Sequence, residues 1–221
     1  MPTSATRSGM PGIVVIHGGT HSQLATLADP ALQVYRITPV HVRHVHRHTD
    51  TLHSADVIVV ADRLRRDLLL DAAPHLLAAH DNGTDLVVLG ENHAGEWVPG
   101  ITHDTRPTIF WWWRTGEDSR IRPVAPEHPA WEIFSRRSTV WHYHGVVHGG
   151  PAATSLVDLL TPEGERDGSL LLVDESRRAR LLVATMDPFY HHGSGFMPGA
   201  TQLLHAVLQW ATRPGDREGT R

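Results

Sequence analysis

Cysteine and lysine are both absent from this sequence of 221 residues. A chain without cysteine has no disulfide bond, no thiolate metal ligand and no cysteine nucleophile. A chain without lysine has neither a Schiff-base lysine nor the lysine of a phosphate-binding P-loop. The 20 residues counted as lysine or arginine are therefore all arginines. A compositional bias that replaces lysine by arginine can also raise the number of histidines, of which there are 18. The number of histidines alone is thus weak evidence for a site.

Long apolar runs and a strong positive charge are also lacking. No segment is long and apolar enough to cross a bilayer, and the opening "MPTSATRSGMPG" lacks the apolar core of a signal peptide. The formal net charge is -4 and the pI is about 6.5, so there is no basic field suited to nucleic acid. We therefore predict a cytoplasmic protein that binds a small molecule, with no nucleic-acid or membrane partner, and homo-oligomer formation stays open.

One globular domain suits both the length and the 40% hydrophobic content. We predict a disordered lead-in over residues 1–11, a single domain over residues 12–212 and a flexible tail over residues 213–221. No internal repeat and no long linker divides the chain.

Apolar runs alternate with helical patterns in the first ninety or so residues. Strands are predicted at 12–19, 32–38, 56–62 and 85–91, with a helix kinked or restarted at Pro74 between the last two. In the second half, short strand candidates at 106–114, 138–148, 154–160, 169–175 and 179–188 precede a closing helix at 198–211. The last two strands are expected to form a hairpin. We predict an α/β, flavodoxin-like three-layer sandwich with a mostly parallel central sheet and a partly antiparallel edge.

Polar loops follow several of these strands, and ligands of open α/β sheets bind at the carboxyl ends of strands. The polar residues at these ends include His17, Glu91, His93, Asp187, Tyr190, His191 and His192. The stretch "HYHGVVHGG" adds His142 and His144, which share one face if the stretch is a strand. The stretch "GENHAGEW" has the strand, glycine and helix order of a nucleophile elbow, with Asn92 or His93 at the elbow. An ordinary polar turn explains it equally well, since neither residue is a conventional nucleophile.

The order of several short motifs resembles the ThuA-like (trehalose-utilisation) family of the class I glutamine amidotransferase-like superfamily. These motifs are "DVIVVAD", "HDNGTDLVVLGENHAGEW", "PEHPAWEIFS" and "ARLLVATMDPFYHH", followed by a helix ending in Trp210 and Ala211. Within the resemblance, His93 matches a glycine-x-histidine turn, His128 begins a His-Pro motif and Asp187 lies in a turn after a late strand. The resemblance implies a carbohydrate-linked enzyme. The glutaminases of this superfamily use a Cys-His-Glu triad. Because this chain has no cysteine, glutaminase activity by that mechanism is excluded.

The first functional hypothesis is an enzyme that acts on a carbohydrate or similar polyol. Histidine titrates near neutral pH, so histidine and carboxylate groups are candidates for acid/base catalysis. The catalytic candidates are His93, His144, His192, Glu91 and Asp187, and the substrate-binding candidates are Trp97, Tyr190, His17 and Arg114. Tryptophans also pack in cores, and we expect that role for Trp131 and Trp210. If a site exists, His93 should contact both the 142–145 and the 190–193 clusters.

The second hypothesis is a metal-dependent hydrolase or lyase. Imidazoles suit divalent transition metals, and a catalytic site needs about three protein ligands and an open position. The metal-ligand candidates are His142, His144 and His191, with Asp187 as a possible companion. Neutral histidines that bond the backbone are the ordinary alternative. The third hypothesis is a non-catalytic binding or scaffold module, in which the run "HVRHVHRH" at 41–48 forms a solvated face.

Overall fold

The computed structural model describes residues 11–107 and 112–213. Within them, one sheet contains the strands β1 (Gly12–His17), β2 (Arg36–His41), β3 (Val57–Val60), β4 (Asp85–Leu89), β5 (Thr102–Asp104), β6 (Ile121–Pro123), β7 (Val146–His148), β8 (Thr154–Leu160), β9 (Arg166–Asp174) and β10 (Leu181–Ala184). The α-helices are α1 (His21–Leu27), α2 (Thr49–Ser54), α3 (Arg66–Asp81), α4 (Ala94–Trp97), α5 (Trp112–Thr115), α6 (Arg136–Thr139), α7 (Pro188–Gly193) and α8 (Pro198–Thr212). Short 3₁₀ helices span Pro30–Val34, Val42–Arg47 and Pro129–Glu132.

The sheet has a parallel half and an antiparallel half. Its strand order is β2-β1-β3-β4-β10-β9-β7-β5, with β8 paired to β9 and β6 paired to β8. The neighbours from β2 to β10 are parallel, whereas β10 and β9 form the expected antiparallel hairpin and the other described pairs are also antiparallel. The predicted α/β fold with an antiparallel edge is therefore confirmed.

Strand residues alternate between two hydrophobic cores, one on each face of the sheet. Val15 of β1 lies in one core with Leu204 of α8. Its neighbour Ile16 lies in the other core with Leu76 of α3. Because successive side chains of a strand point to opposite faces, this alternation covers the sheet on both sides and produces three layers. The carboxyl ends of the central parallel strands then open at one edge of the sheet.

The second predicted strand begins later than expected. Residues 32–34 of the strand expected at 32–38 belong to the 3₁₀ helix Pro30–Val34, and the strand itself is β2, Arg36–His41. Asp29 caps this turn, since its Oδ1 accepts a hydrogen bond from the Ala31 amide at 2.8 Å, and Pro30 occupies the first helical position. The local capping chemistry therefore outweighs the apolar pattern. Helix α3 runs through Pro74 without restarting, because the buried Leu69 and Leu76 anchor both of its halves to the same core.

The second half departs further from the sequence pattern. Of the strand expected at 138–148, only Val146–His148 is a strand, so His142 and His144 lie in an irregular segment rather than on a strand face. Gly145 ends this segment with a φ of 92°, and a Cβ there would collide with the Asp104 carbonyl. Of the strand expected at 106–114, residues 112–114 belong to the helix Trp112–Thr115, and residues 108–111 lie outside the described residues.

Two tryptophans have the packing role expected of them. Trp210 is only 1% exposed in the core. Trp131 is partly buried against that core and donates its indole N–H to the Val124 carbonyl at 2.9 Å. Among the described helices, none combines the length and apolar character needed to cross a membrane. The lead-in, nearly all of which falls outside the described residues, and the domain boundaries stay predictions.

Candidate active site

The carboxylate of Asp187 is the centre of a buried polar cluster. Asp187 follows β10 and is 0% exposed. The Arg63 guanidinium donates from Nε to Asp187 Oδ2 at 2.7 Å. His144 Nε2 lies 3.2 Å from the same oxygen, and His191 Nε2 lies 3.2 Å from Oδ1. One side chain therefore joins the loops that follow β3 and β10 and the segment before β7.

Three histidine rings surround this carboxylate. His142 Nε2 lies 2.9 Å from His144 Nε2, and the two ring centroids are 4.4 Å apart in a nearly perpendicular arrangement. The His191 ring lies 5.4 Å from the His142 ring. His144 Nδ1 in turn lies 3.3 Å from Oε1 of Glu91, whose side chain is 55% exposed. His144 thus links an exposed carboxylate to the buried one.

Several atoms of the cluster lack a hydrogen-bond partner. Among the described residues, both ring nitrogens of His191 and Oδ1 of Asp187 make no hydrogen bond, although Nε2 and Oδ1 are close to each other. Buried polar atoms are rarely left without a partner, and a bound ion is one kind of group that would supply it. His142, Asp187 and His191 each offer a ligand atom within 4.8 Å of the others, as a metal ion requires. All three residues are buried.

Gly90 allows the β3, β4 and β10 strand ends to approach each other. Its φ is 63°, a value that glycine adopts easily. A Cβ at this position would lie 2.6 Å from the Asp62 Cβ and 3.1 Å from the Asp187 Cβ. Asp62 in turn accepts hydrogen bonds from the amides of Phe189 at 2.7 Å and Tyr190 at 3.2 Å. Asp62 therefore fixes the start of α7 and with it the position of His191.

Burial and neighbouring charges set the protonation of the cluster. Burial alone would raise the pKa of Asp187, but the contacts with His144 and His191 outweigh it and hold that pKa well below the usual range. Burial, with a smaller effect of His144, lowers the pKa of His142 to about 3. Burial, reinforced by the charge of Asp187, raises the pKa of Asp62 to about 8. These shifts favour an ionised Asp187 and a neutral His142 at pH 7, and they favour the protonated form of Asp62 over a wider pH range than usual.

We expect Asp62→Asn to alter the pH dependence of stability in protein stripped of divalent ions. Because the folded pKa of Asp62 is raised from 3.8 to about 8, its stabilising contribution is complete below pH 4 or so and is lost as pH rises through 8. Asparagine does not ionise, and its remaining oxygen can accept both amide hydrogen bonds. The melting temperature of the variant minus that of the wild type should therefore be several degrees larger at pH 9 than at pH 5. Parallel melting curves across this range would contradict the assignment.

The turn after β4 has the backbone of an elbow. His93 adopts the left-handed conformation with φ 48° and ψ 38° and precedes α4. The buried Asn92 side chain holds this turn by donating to the Ala61 and Leu89 carbonyls and accepting from the Leu64 amide. A left-handed non-glycine residue stores strain, and such strain is concentrated at functional sites. The His93 side chain is 41% exposed, and its Nδ1 lies 3.2 Å from Glu96 Oε1.

The structure brings together five of the residues singled out in the sequence. They are Glu91, His142, His144, Asp187 and His191. His93 and His192 lie elsewhere. Within the described chain, no hydrogen bond, ion pair or ring contact joins His93 to either histidine cluster. His192 bonds Asp29 Oδ2 at 2.7 Å and Thr201 Oγ1 at 3.0 Å. The catalytic roles of His93 and His192 stay predictions.

The four substrate-binding candidates occupy separate environments. Trp97 is 7% exposed and donates its indole N–H to the Asn92 carbonyl at 2.8 Å. The Tyr190 ring lies under the Arg63 guanidinium. The His17 ring packs edge-on against His41. Arg114 lies over the exposed Trp113 ring on α5. Tyr190 adjoins the Asp187 cluster through Arg63, and substrate binding stays a prediction for each of the four.

Sequence reasoning missed Asp62 and Arg63. Both follow the buried strand β3, in "VIVVADR", at a strand end of the same kind as those that carry the other candidates. The rule for carboxyl ends of parallel strands would have selected them. Asp62 is 0% exposed, and Arg63 carries a φ of 58°, which no sequence pattern predicts for arginine.

Two surface cavities lie outside the Asp187 cluster. One, of about 870 Å³, is lined by His192 of α7, by Asp29 after α1 and by Phe196 between α7 and α8, among others. The other, of about 420 Å³, lies between α6 and α8. Neither lining includes a residue of the cluster. The case for a site at Asp187 therefore rests on its buried polar atoms and not on open volume.

Solved structures resemble this fold at low sequence identity. A GMP synthase protein from Thermoplasma acidophilum has a TM-score of 0.58 and 9% identity, covering 93% of this chain and 96% of that one. The glutaminase domain of Trypanosoma brucei CTPS with bound acivicin has a TM-score of 0.51 and 10% identity, covering 95% and 98%. No protein-family model and no curated protein matches the sequence. The chain thus has a class I glutamine amidotransferase-like fold, and at such identities the likeness concerns the fold alone.

Proposed function

We propose that this protein is a metal-dependent hydrolase or lyase whose divalent transition-metal ion is held by His142, Asp187 and His191. The observation that supports the proposal is the convergence of their ligand atoms within 4.8 Å, together with the polar atoms of Asp187 and His191 that make no hydrogen bond among the described residues. Two imidazoles and one carboxylate form a common donor set of catalytic zinc sites, which keep a further position for water or substrate.

The protonation of the cluster supports metal binding. A histidine binds a metal only as neutral imidazole and a carboxylate only when ionised. The low pKa of His142 and the low pKa of Asp187 keep both in these forms at pH 7. A bound ion would supply a polarised water or a Lewis acid. The sequence pattern predicted His144 as the third ligand, and the proposal assigns Asp187 in its place.

His144 is the acid/base group of this proposal. Its Nε2 faces the centre, 3.2 Å from Asp187 Oδ2, and its Nδ1 faces the exposed Glu91 at 3.3 Å. Its backbone amide donates to the Thr185 carbonyl at 2.8 Å, which fixes the segment in place. In this position His144 can take a proton at Nε2 and pass one at Nδ1 to Glu91, as general catalysis by histidine requires.

The substrate we propose is a small polar molecule, in keeping with the polyol that the ThuA-like resemblance implies. The outer edge of the cluster is polar, since Arg63 is 33% exposed and Glu91 is 55% exposed. Hydroxyl groups of a polyol can bond both side chains. A non-catalytic scaffold role would instead leave a protein with neither a stoichiometric ion nor turnover.

Neighbouring histidines on α7 provide a matched test. We expect His191→Gln to remove stoichiometric Zn²⁺ or Co²⁺ binding and His192→Gln to retain it, because His192 bonds Asp29 and Thr201 instead. Metal content is measured by elemental analysis of full-length protein without a histidine tag. Equal metal contents in the two variants would overturn the proposed ligand set.

Turnover is tested on the same samples. A panel of ester, glycoside and phosphoester substrates should reveal an activity in the metal-loaded wild type that a chelator abolishes and Zn²⁺ restores. The His191→Gln variant should lack it, and His192→Gln should keep it. An activity insensitive to chelator would contradict metal-dependent catalysis.

A further inference from the structure

We propose that Arg63 is an oxyanion-binding residue and that the substrate of this centre carries a carboxylate or phosphoryl group. The inference rests on the proposed metal centre and adds the charge of its substrate. Arg63 and Glu91 form the exposed edge of the cluster, whereas Asp187, His142 and His191 are buried.

The backbone of Arg63 is held in a costly conformation. Its φ is 58°, and a left-handed non-glycine residue costs about 1 kcal/mol or more. The residues on both sides are anchored. Gln23 donates to the Asp62 carbonyl at 2.6 Å, and the Leu64 amide donates to Asn92 Oδ1 at 3.0 Å. Strain that neighbouring bonds enforce in this way is typical of a residue whose position serves a site.

Only some of the N–H donors of the Arg63 guanidinium make contacts within the described chain. Nε and one terminal nitrogen both contact a single oxygen of Asp187, rather than the two oxygens of a fork-to-fork pair. The group lies over the Tyr190 ring, with Cζ 3.6 Å from the ring centroid. Of the five N–H donors of arginine, those on the outer edge make no described hydrogen bond. The side chain as a whole is 33% exposed, so a ligand can approach it from solvent.

The charge of the occupied centre also favours an anion. Arg63 contributes one positive charge, and Asp187 and Glu91 contribute one negative charge each. A divalent ion would leave a net charge of about +1 in a partly desolvated site, where opposite charges attract more strongly than in water. A fixed guanidinium fork can bond a hydroxyl group, but its two parallel donors match the two oxygens of a carboxylate or phosphate more closely. An acidic polyol derivative would place its anionic group against Arg63 and its hydroxyl groups against the polar edge of the cluster.

The contact with Asp187 gives Arg63 a second function. It orients the carboxylate by occupying Oδ2 and leaves Oδ1, which has no hydrogen bond among the described residues, for the ion. The same side chain would therefore connect the proposed ion and the substrate's oxyanion. Removal of the guanidinium should weaken anion binding far more than metal binding.

The experiment uses the full-length, Co²⁺-loaded protein and its visible spectrum. Inorganic phosphate and acetate are the anionic probes, and glycerol is the neutral probe. We expect phosphate and acetate to perturb the spectrum and glycerol to leave it unchanged. The Arg63→Gln variant should bind the anions at least 10-fold more weakly, and Arg63→Lys should recover part of the loss. Arg66→Gln is the matched control, since Arg66 is exposed and pairs with Glu96 outside the cluster.

The outcomes separate the two proposals. Wild-type protein without stoichiometric cobalt overturns the proposed metal centre. Cobalt binding with anion affinities that are equal in wild type and Arg63→Gln overturns the role of Arg63 alone, and so does a response to glycerol but not to the anions. Cobalt retained in Arg63→Gln, together with weakened anion binding, supports both. Stronger weakening for phosphate than for acetate would identify a phosphoryl group as the preferred oxyanion.

Discussion

Asp187→Asn should abolish metal binding while the fold persists. Asparagine keeps the shape of the side chain but removes the charge that lies between Arg63, His144 and His191. Loss of a group that only supports a metal ligand costs 10- to 100-fold in affinity, so loss of a ligand itself should weaken Zn²⁺ binding by more than about 100-fold. Isothermal titration calorimetry with competing chelator measures this change. Arg63 is partly exposed and can turn to solvent, which limits the loss of stability.

Asp85→Asn is the matched control, because Asp85 is equally buried but pairs with Arg180. Arg180 Nε donates to Asp85 Oδ2 at 2.8 Å, and Arg180 is itself only 6% exposed. Breaking a buried ion pair costs about 3–5 kcal/mol. This variant should therefore melt well below the wild type and still bind one metal ion when folded. Metal loss in both variants would show that binding follows stability and not the ligand set.

Gly90→Ala should lower both the stability of the protein and the metal affinity of the proposed centre. The added Cβ would lie 2.6 Å from the Asp62 Cβ and 3.1 Å from the Asp187 Cβ, and atoms so near the backbone move only if the strands move. The φ of 63° adds about 1 kcal/mol of strain, and overpacking adds about 1–3 kcal/mol. At about 2–4 °C per kcal/mol for a chain of this size, the melting temperature should fall by roughly 5 °C or more.

Gly100→Ala separates backbone strain from the collision. Gly100 also has a positive φ, 77°, but an added Cβ would meet no atom within 4 Å. We expect this variant to lose about 1 kcal/mol through strain alone and to bind metal as the wild type does. Gly90→Ala should bind metal at least about 10-fold more weakly, since displaced groups around a metal site cost that much. Equal metal affinities in the two variants would contradict the tight approach of the three strand ends.

Local sequence patterns were reliable where burial was uniform. The runs that became β1, β3 and β4 are continuous apolar segments, and a parallel strand covered on both faces requires such composition. The hairpin of β9 and β10 was equally evident from its polar turn between two apolar runs. The pattern failed in the first part of the strands expected at 32–38 and at 138–148, where a capped 3₁₀ turn and the left-handed Gly145 interrupt residues that are apolar or aromatic.

Composition and local periodicity were enough to predict the α/β class, to exclude cysteine chemistry and to select the loops at strand ends as candidate ligand-binding segments. Which of the 18 histidines share a site depends instead on how the chain packs in three dimensions. His191 and His192 are adjacent in sequence, yet one faces Asp187 and the other faces Asp29, since neighbouring residues of a helix point about 100° apart. The strand-end rule marks Arg63 as a residue that follows β3, but its contact with Asp187 depends on the order of strands in the sheet, where β4 lies between β3 and β10.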